Sequence, residues 1–178
     1  TINARVIVDA VADPPILTAI SSTTVAAGAA VTGGTLGLGA RLVDTDGSEQ
    51  LCAVDDTQPS GFACGNFVMI SGLPPGFTIT GSSGARTLTG TDVWIVPAAD
   101  LPNITINPTA GFTGTVDFEM STLSQEYNRV LSEELDLSNN IAPDTELSFS
   151  VTWQAAPTPG GGGPGGPGGP GAAGPCGT

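Results

Sequence analysis

Apolar and polar positions along this chain alternate with a period of two more often than of three or four. In residues 2–11 the apolar side chains Ile2, Ala4, Val6 and Val8 fall on every second position and Ile7 adds β-branching, which predicts an N-terminal strand. Pro14 and Pro15 end it, because neither can donate to a ladder and both hold the chain extended. Further β-like runs lie at Leu36–Val43, Phe67–Ser71, Phe77–Thr80, Val93–Val96, Ile104–Ile106, Val116–Met120 and Leu147–Trp153, separated by turn sequences such as Asp-Gly, Pro-Pro-Gly and Gly-Ser-Ser-Gly. Short strands between regular turns predict an all-β sandwich. Ser124–Leu137 departs from the pattern. Its Tyr127, Val130, Leu131 and Leu135 recur at spacings of three and four, and the segment reads as an insertion, either a short helix or a long loop.

After Trp153 the composition turns abruptly to Pro and Gly. Glycine then falls on every third position at Gly162, Gly165, Gly168, Gly171, Gly174 and Gly177. That register suits a collagen-like association, in which three polyproline-II chains coil together and only glycine fits at the axis, or another bundle of polyproline-II segments. A flexible low-complexity linker would have a similar composition. The chain thus divides into residues 1–13, a strand or inter-domain joint; residues 14–154, the sandwich; and residues 155–178, the Gly/Pro tail.

Charge narrows the chemistry. The 178 residues hold no lysine or histidine, and Arg5, Arg41, Arg86 and Arg129 stand against 17 acidic residues, for a net charge of −13. A nucleic-acid partner is not expected, because binding one rests on cations that neutralise phosphates. Without histidine the commonest general base and transition-metal ligand is missing. Enzyme chemistry is not expected, and a carboxylate-based glycosidase ranks only as a distant third reading. No apolar run approaches the roughly 18 residues of a membrane span. The sequence opens at Thr1 directly into the alternating pattern, with no signal peptide in view, which fits a processed secreted chain or a piece of a longer one.

Three cysteines are present. Cys52 and Cys64 bracket a stretch whose Gln-Pro-Ser-Gly reads as a turn, and this predicts a local disulfide and an oxidising, extracellular compartment; two buried thiols are the alternative. Cys176 is left over for a link between chains. Asp55 and Asp56, inside the bracketed loop, read as solvated acids. Asn103-Ile104-Thr105 has the form of a glycosylation sequon, a match too short to weigh.

Calcium is the only cofactor the residues call for, since hard cations take oxygen ligands and this chain carries many carboxylates on turns. Asp44, Asp46 and Glu49 lie close together around Gly47, without the twelve-residue spacing of an EF-hand, and Asp13 beside the prolines is a second candidate. The plainer reading is an Asp-Gly turn with solvated acids.

Several of these stretches occur together in an order of their own: Asp44-Thr45-Asp46-Gly47-Ser48-Glu49, Ile70-Ser71-Gly72-Leu73-Pro74-Pro75-Gly76-Phe77, Trp94, Ala99-Asp100-Leu101, Ile104–Pro108 and Phe112-Thr113-Gly114-Thr115. The succession resembles the cadherin-like or immunoglobulin-like repeats of large bacterial adhesins of the RTX type, exported by type I secretion, over roughly residues 8–153. Ala10–Pro15 resembles the joint between successive repeats. The resemblance implies a Greek-key sandwich, a cell-surface or extracellular location, adhesion or scaffolding, and Ca²⁺ that stiffens the joints. The cysteine loop, Ser124–Leu137 and the tail depart from the usual pattern.

In that family pattern a strand like the one holding Arg5, Val6, Ile7 and Val8 closes a preceding repeat. Here it either adds to the sheet edge of a neighbouring copy, building a head-to-tail polymer, or pairs within its own sandwich. The leading expectation is a structural subunit of an extracellular filament or surface fibre, whose partners are copies of itself, joined head to tail or through a trimeric tail. The alternative is an adhesin module whose loops bind a surface glycan or protein, with the tail as spacer.

Overall fold

The computed structural model describes residues 11–44, 47–88, 91–126 and 141–157. The strand expected around Arg5–Val8, the run Tyr127–Leu137 and the Gly/Pro triplets lie outside the described residues. The fold is all-β: among the described residues the sole helical element is a 3₁₀ turn at Ala98–Asp100. In chain order the strands are β1 (Ile16–Thr18), β2 (Ser22–Ala26), β3 (Val31–Thr32), β4 (Gly39–Arg41), β5 (Glu49–Val54), β6 (Phe62–Cys64) and β7 (Phe67–Ser71). They continue with β8 (Thr78–Thr80), β9 (Arg86–Thr87), β10 (Trp94–Pro97), β11 (Thr105–Asn107), β12 (Gly114–Glu126) and β13 (Thr145–Gln154).

The main sheet runs β2-β13-β12-β7-β10-β9, with β5 pairing β12 and β6 pairing β5. A three-stranded sheet β3-β11-β8 and the pair β1-β4 complete the body. Alternation accounts for the packing. Val116, Phe118 and Met120 on β12 meet Phe149, Val151 and Trp153 on β13, and these pack with Ile70, Ile104, Ile106 and Leu36 in one buried cluster. At one end Trp153, Phe77 and Phe112 pack edge to face, with centroids 5.0–5.5 Å apart, and the Trp153 indole donates to the Ala29 carbonyl at 2.8 Å. The chain passes so close at Gly33 that a Cβ there would sit 1.7 Å from the Leu101 carbonyl oxygen, so only glycine fits.

β12 is longer than the run Val116–Met120 predicts. Ser124, Gln125 and Glu126 continue the strand, where an insertion was expected to begin. The inward-facing series simply changes chemistry: Val116, Phe118 and Met120 are followed by Thr122, Ser124 and Glu126, all buried. At Thr122 the strand switches partner, from β7 at residues 119–121 to β5 at residues 123–126. The Thr122 hydroxyl stands 3.0 Å from the carbonyls of both Cys52 and Phe67, and its one hydrogen serves either at this break in the ladder. Within Leu36–Val43 only Gly39–Arg41 is strand; Leu36 and Leu38 enter the core from a turn held by bonds to Thr32 and Gly33.

Candidate functional site

β5 and β12 bring two acids face to face. Glu49, the first residue of β5, is the direct cross-strand partner of Glu126, the last residue of β12. Both are buried, at 7% and 8% exposure. Like charges directly opposite on a ladder repel, and burial strengthens the repulsion by removing water. Glu49 Oε1 accepts the backbone N–H of Asp13 at 2.8 Å, and Ser48 Oγ donates to Glu126 Oε1 at 3.4 Å. Glu49 Oε2 is buried and has no hydrogen-bond partner among the described residues. Burial pushes the Glu49 carboxyl above its ordinary 4.5; the Asp13 N–H opposes this, while the negative charges of Glu126, Asp13 and Asp44 add to it.

The same contacts fasten the start of the described chain. Ser124 Oγ donates to the Asp13 carbonyl while Asp13 N–H donates to Glu49, so residue 13 is clamped between β12 and β5. Ala12 and Pro15 are buried on either side. Of the acids expected to hold calcium, Glu49 is therefore inside the body; Asp13 meets it through its backbone and, with Asp44, acts on it through space. Asp46 lies outside the described residues. Glu126 was not foreseen, although carrying the alternation of Val116, Phe118 and Met120 forward by twos reaches it on the buried face.

Among the described residues no group of three or more His, Cys, Asp or Glu side chains is placed to hold a metal ion. The donor set does fit a hard cation in one respect: an orphaned carboxylate oxygen and a second carboxylate opposite it are both oxygen ligands, and the described residues form no salt bridge to either.

At the far end of β5 the cysteine loop is built differently. Cys52 and Cys64 are cross-strand partners on β5 and β6 and form a disulfide, as the turn between them predicts. Asp55, expected to be solvated, is instead fully buried. Its carboxylate accepts from Thr57 Oγ1 at 2.5 Å, Thr57 N–H at 3.0 Å and Arg86 Nη2 at 2.9 Å. The Thr57 hydroxyl bond, then the Arg86 bond, holds the carboxyl below its ordinary 3.8. Arg86 reaches it from β9 with its guanidinium 5.3 Å above the Phe67 ring. The spacing of Arg86 from Asp55 in sequence carries no local signal of this pair. Asp56 is exposed, as expected. Cys176, Arg5, Val6, Ile7, Val8, Gly162, Gly165, Gly168, Gly171 and Gly174 lie outside the described residues.

Compared with known proteins, the chain matches no protein-family model, no curated protein and no solved structure.

Proposed function

We propose that this chain is a structural module of an extracellular filament or surface fibre, joined end to end to copies of itself. One observation carries the reading. The chain enters the β body where Asp13 is clamped to Ser124, and leaves it at Gln154, one residue past Trp153, which pairs with Gly114. Gly114 and Ser124 lie on the same strand, ten residues or about 33 Å apart at the usual rise. Entry and exit at opposite ends suit a module that passes tension or connection along its length. The disulfide supports an oxidising compartment, and the sequence resemblance to bacterial adhesin repeats, with the Greek-key sandwich it implies, supports a cell-surface setting.

In this reading residues 1–10 reach a neighbouring copy from the clamped joint, and the Gly/Pro tail extends from the other end as a collagen-like or linking segment. A divalent cation, calcium first, would be held at the joint by Glu49 and Glu126, with Asp13 and Asp44 adding to its field. It would neutralise the facing carboxylates and so stiffen the entry of the chain.

Electron microscopy of the purified, non-reduced protein tests this, with Ca²⁺ and after chelation. Uniform filaments that fall apart on chelation, and that fail to form when residues 1–11 are deleted, are the expected result. Discrete monomers under both conditions would sink the filament reading and turn attention to an adhesin module that binds a glycan or protein.

A further inference from the structure

At the exit end of the β body lies a groove of about 450 Å³. It is lined by Pro74, Pro75 and Phe77 from the turn after β7 and by Thr91, Asp92 and Trp94 at the start of β10. The two tryptophans of the chain differ sharply. Trp153 is 1% exposed and its indole N–H is bonded to Ala29, whereas Trp94 is half-buried and its indole N–H has no partner among the described residues. A half-buried indole that lines the groove beside two prolines, its N–H without a partner among the described residues, suits a polyproline-II strand. Such a strand has no internal hydrogen bonds, so its carbonyls are free to accept, and its proline rings stack on aromatic faces.

This chain contains such a sequence. Residues 158–178 hold no charged side chain and are mostly glycine and proline, so the acidity of the body does not repel them. They begin four residues beyond Gln154, at the groove's end of the body: the Trp153 ring lies 5.5 Å from that of Phe77, which lines the groove. Extended as polyproline II, 21 residues (178 − 157) reach about 65 Å, far more than is needed.

We propose that the groove beside Trp94 is the docking site for this chain's own Gly/Pro segment, residues 158–178. The segment lies as a polyproline-II strand against Trp94 and Pro74-Pro75, with the indole N–H donating to one of its carbonyls. Tethering beside the groove gives an effective concentration of order millimolar, enough to hold a weak contact closed. The inference does not rest on the filament reading: a tail docked on its own body leaves end-to-end joining to the N-terminal segment and takes no part in a collagen-like link.

Acrylamide quenching of tryptophan fluorescence tests it, because buried Trp153 leaves Trp94 as the quenchable ring. With Cys176→Ser to prevent cross-linking, the full chain should be quenched about twofold less than a variant ending at Pro157. A synthetic peptide of residues 158–178 at millimolar concentration should restore the shielding to that variant, and Pro75→Ser in the full chain, at an exposed turn position, should remove it. Equal quenching with and without the tail would overturn the proposal. So would shielding that grows with protein concentration, which would assign the groove to a neighbouring copy's tail instead.

Discussion

Asp55 and Glu49 are carboxylates buried at the two ends of one strand, β5, and their surroundings could hardly differ more. Asp55 sits just past the strand's end with a hydroxyl, a backbone N–H and a guanidinium around it, and its proton is lost more readily than in water. Glu49 opens the strand with one backbone N–H, an oxygen unpartnered among the described residues and another carboxylate across the ladder, and holds its proton longer. Burial of an acid is thus no single kind of feature. Where the fold supplies every partner, the acid is a fastener. Where the described residues leave the pairing incomplete, the site is open to what solution supplies, a proton or a cation.

The contrast can be broken most strongly at the cysteine loop. Replacing Cys52 and Cys64 together by alanine releases the loop that carries Asp55, and should cost about 3 kcal/mol in urea unfolding at pH 7 from chain entropy alone. Arg86→Ala leaves the Asp55 charge buried on the Thr57 bonds only, and about 2 kcal/mol should be lost. Glu49→Gln should act in the opposite sense: in a chelator at pH 7 it removes the facing charge and should stabilise by about 1 kcal/mol. Adding Ca²⁺ should raise the thermal midpoint of the parent protein and leave that of Glu49→Gln unchanged; equal shifts would remove Glu49 from the cation site. Asp56→Asn, exposed beside Asp55, should stay within about 0.5 kcal/mol.

Titration sharpens the same comparison. The folded pKa of Asp55 lies below 3.8, so its contribution is complete above that value and disappears as pH falls through the folded pKa. Glu49 has the reverse sign. Its folded pKa lies above 4.5, so the folded state binds the extra proton, and stability is shed as pH rises from 4.5 through the raised value. Urea midpoints measured in chelator should therefore fall as pH is raised from about 4.5 toward neutrality in the parent protein, and stay flatter in Glu49→Gln.

Period-two alternation made the all-β body legible, with the apolar stretches of β12 and β13 and Phe67–Ser71 with the same bounds that β7 has, but it passed over Glu49–Val54 altogether. It failed where strands are short or carry Ser, Thr and Ala in place of larger apolar groups, as in Ser22–Ala26, Phe62–Cys64 and Arg86–Thr87. Their burial comes from neighbours distant in sequence. The disulfide was legible because a turn lies between its cysteines. The Asp55–Arg86 pair was not, since nothing local joins residues 31 positions apart. Glu126 was half legible: its position follows from the alternation of β12, but a carboxylate on the buried face contradicts composition, and only its cross-strand partner gives that contradiction a meaning.

The pairing of β2 with β13 has a mechanical consequence. These two strands run parallel, Ser22 beside Ser150 through Ala26 beside Gln154. Chain before β2 leads back to the clamp at Asp13, and chain after β13 leads away from the opposite end. A pull on the two ends therefore drags the strands past each other in opposite directions. Their cross-strand bonds are loaded together in shear instead of opening one by one like a zipper, and the rupture rate under load is set by the loss of the whole patch at once.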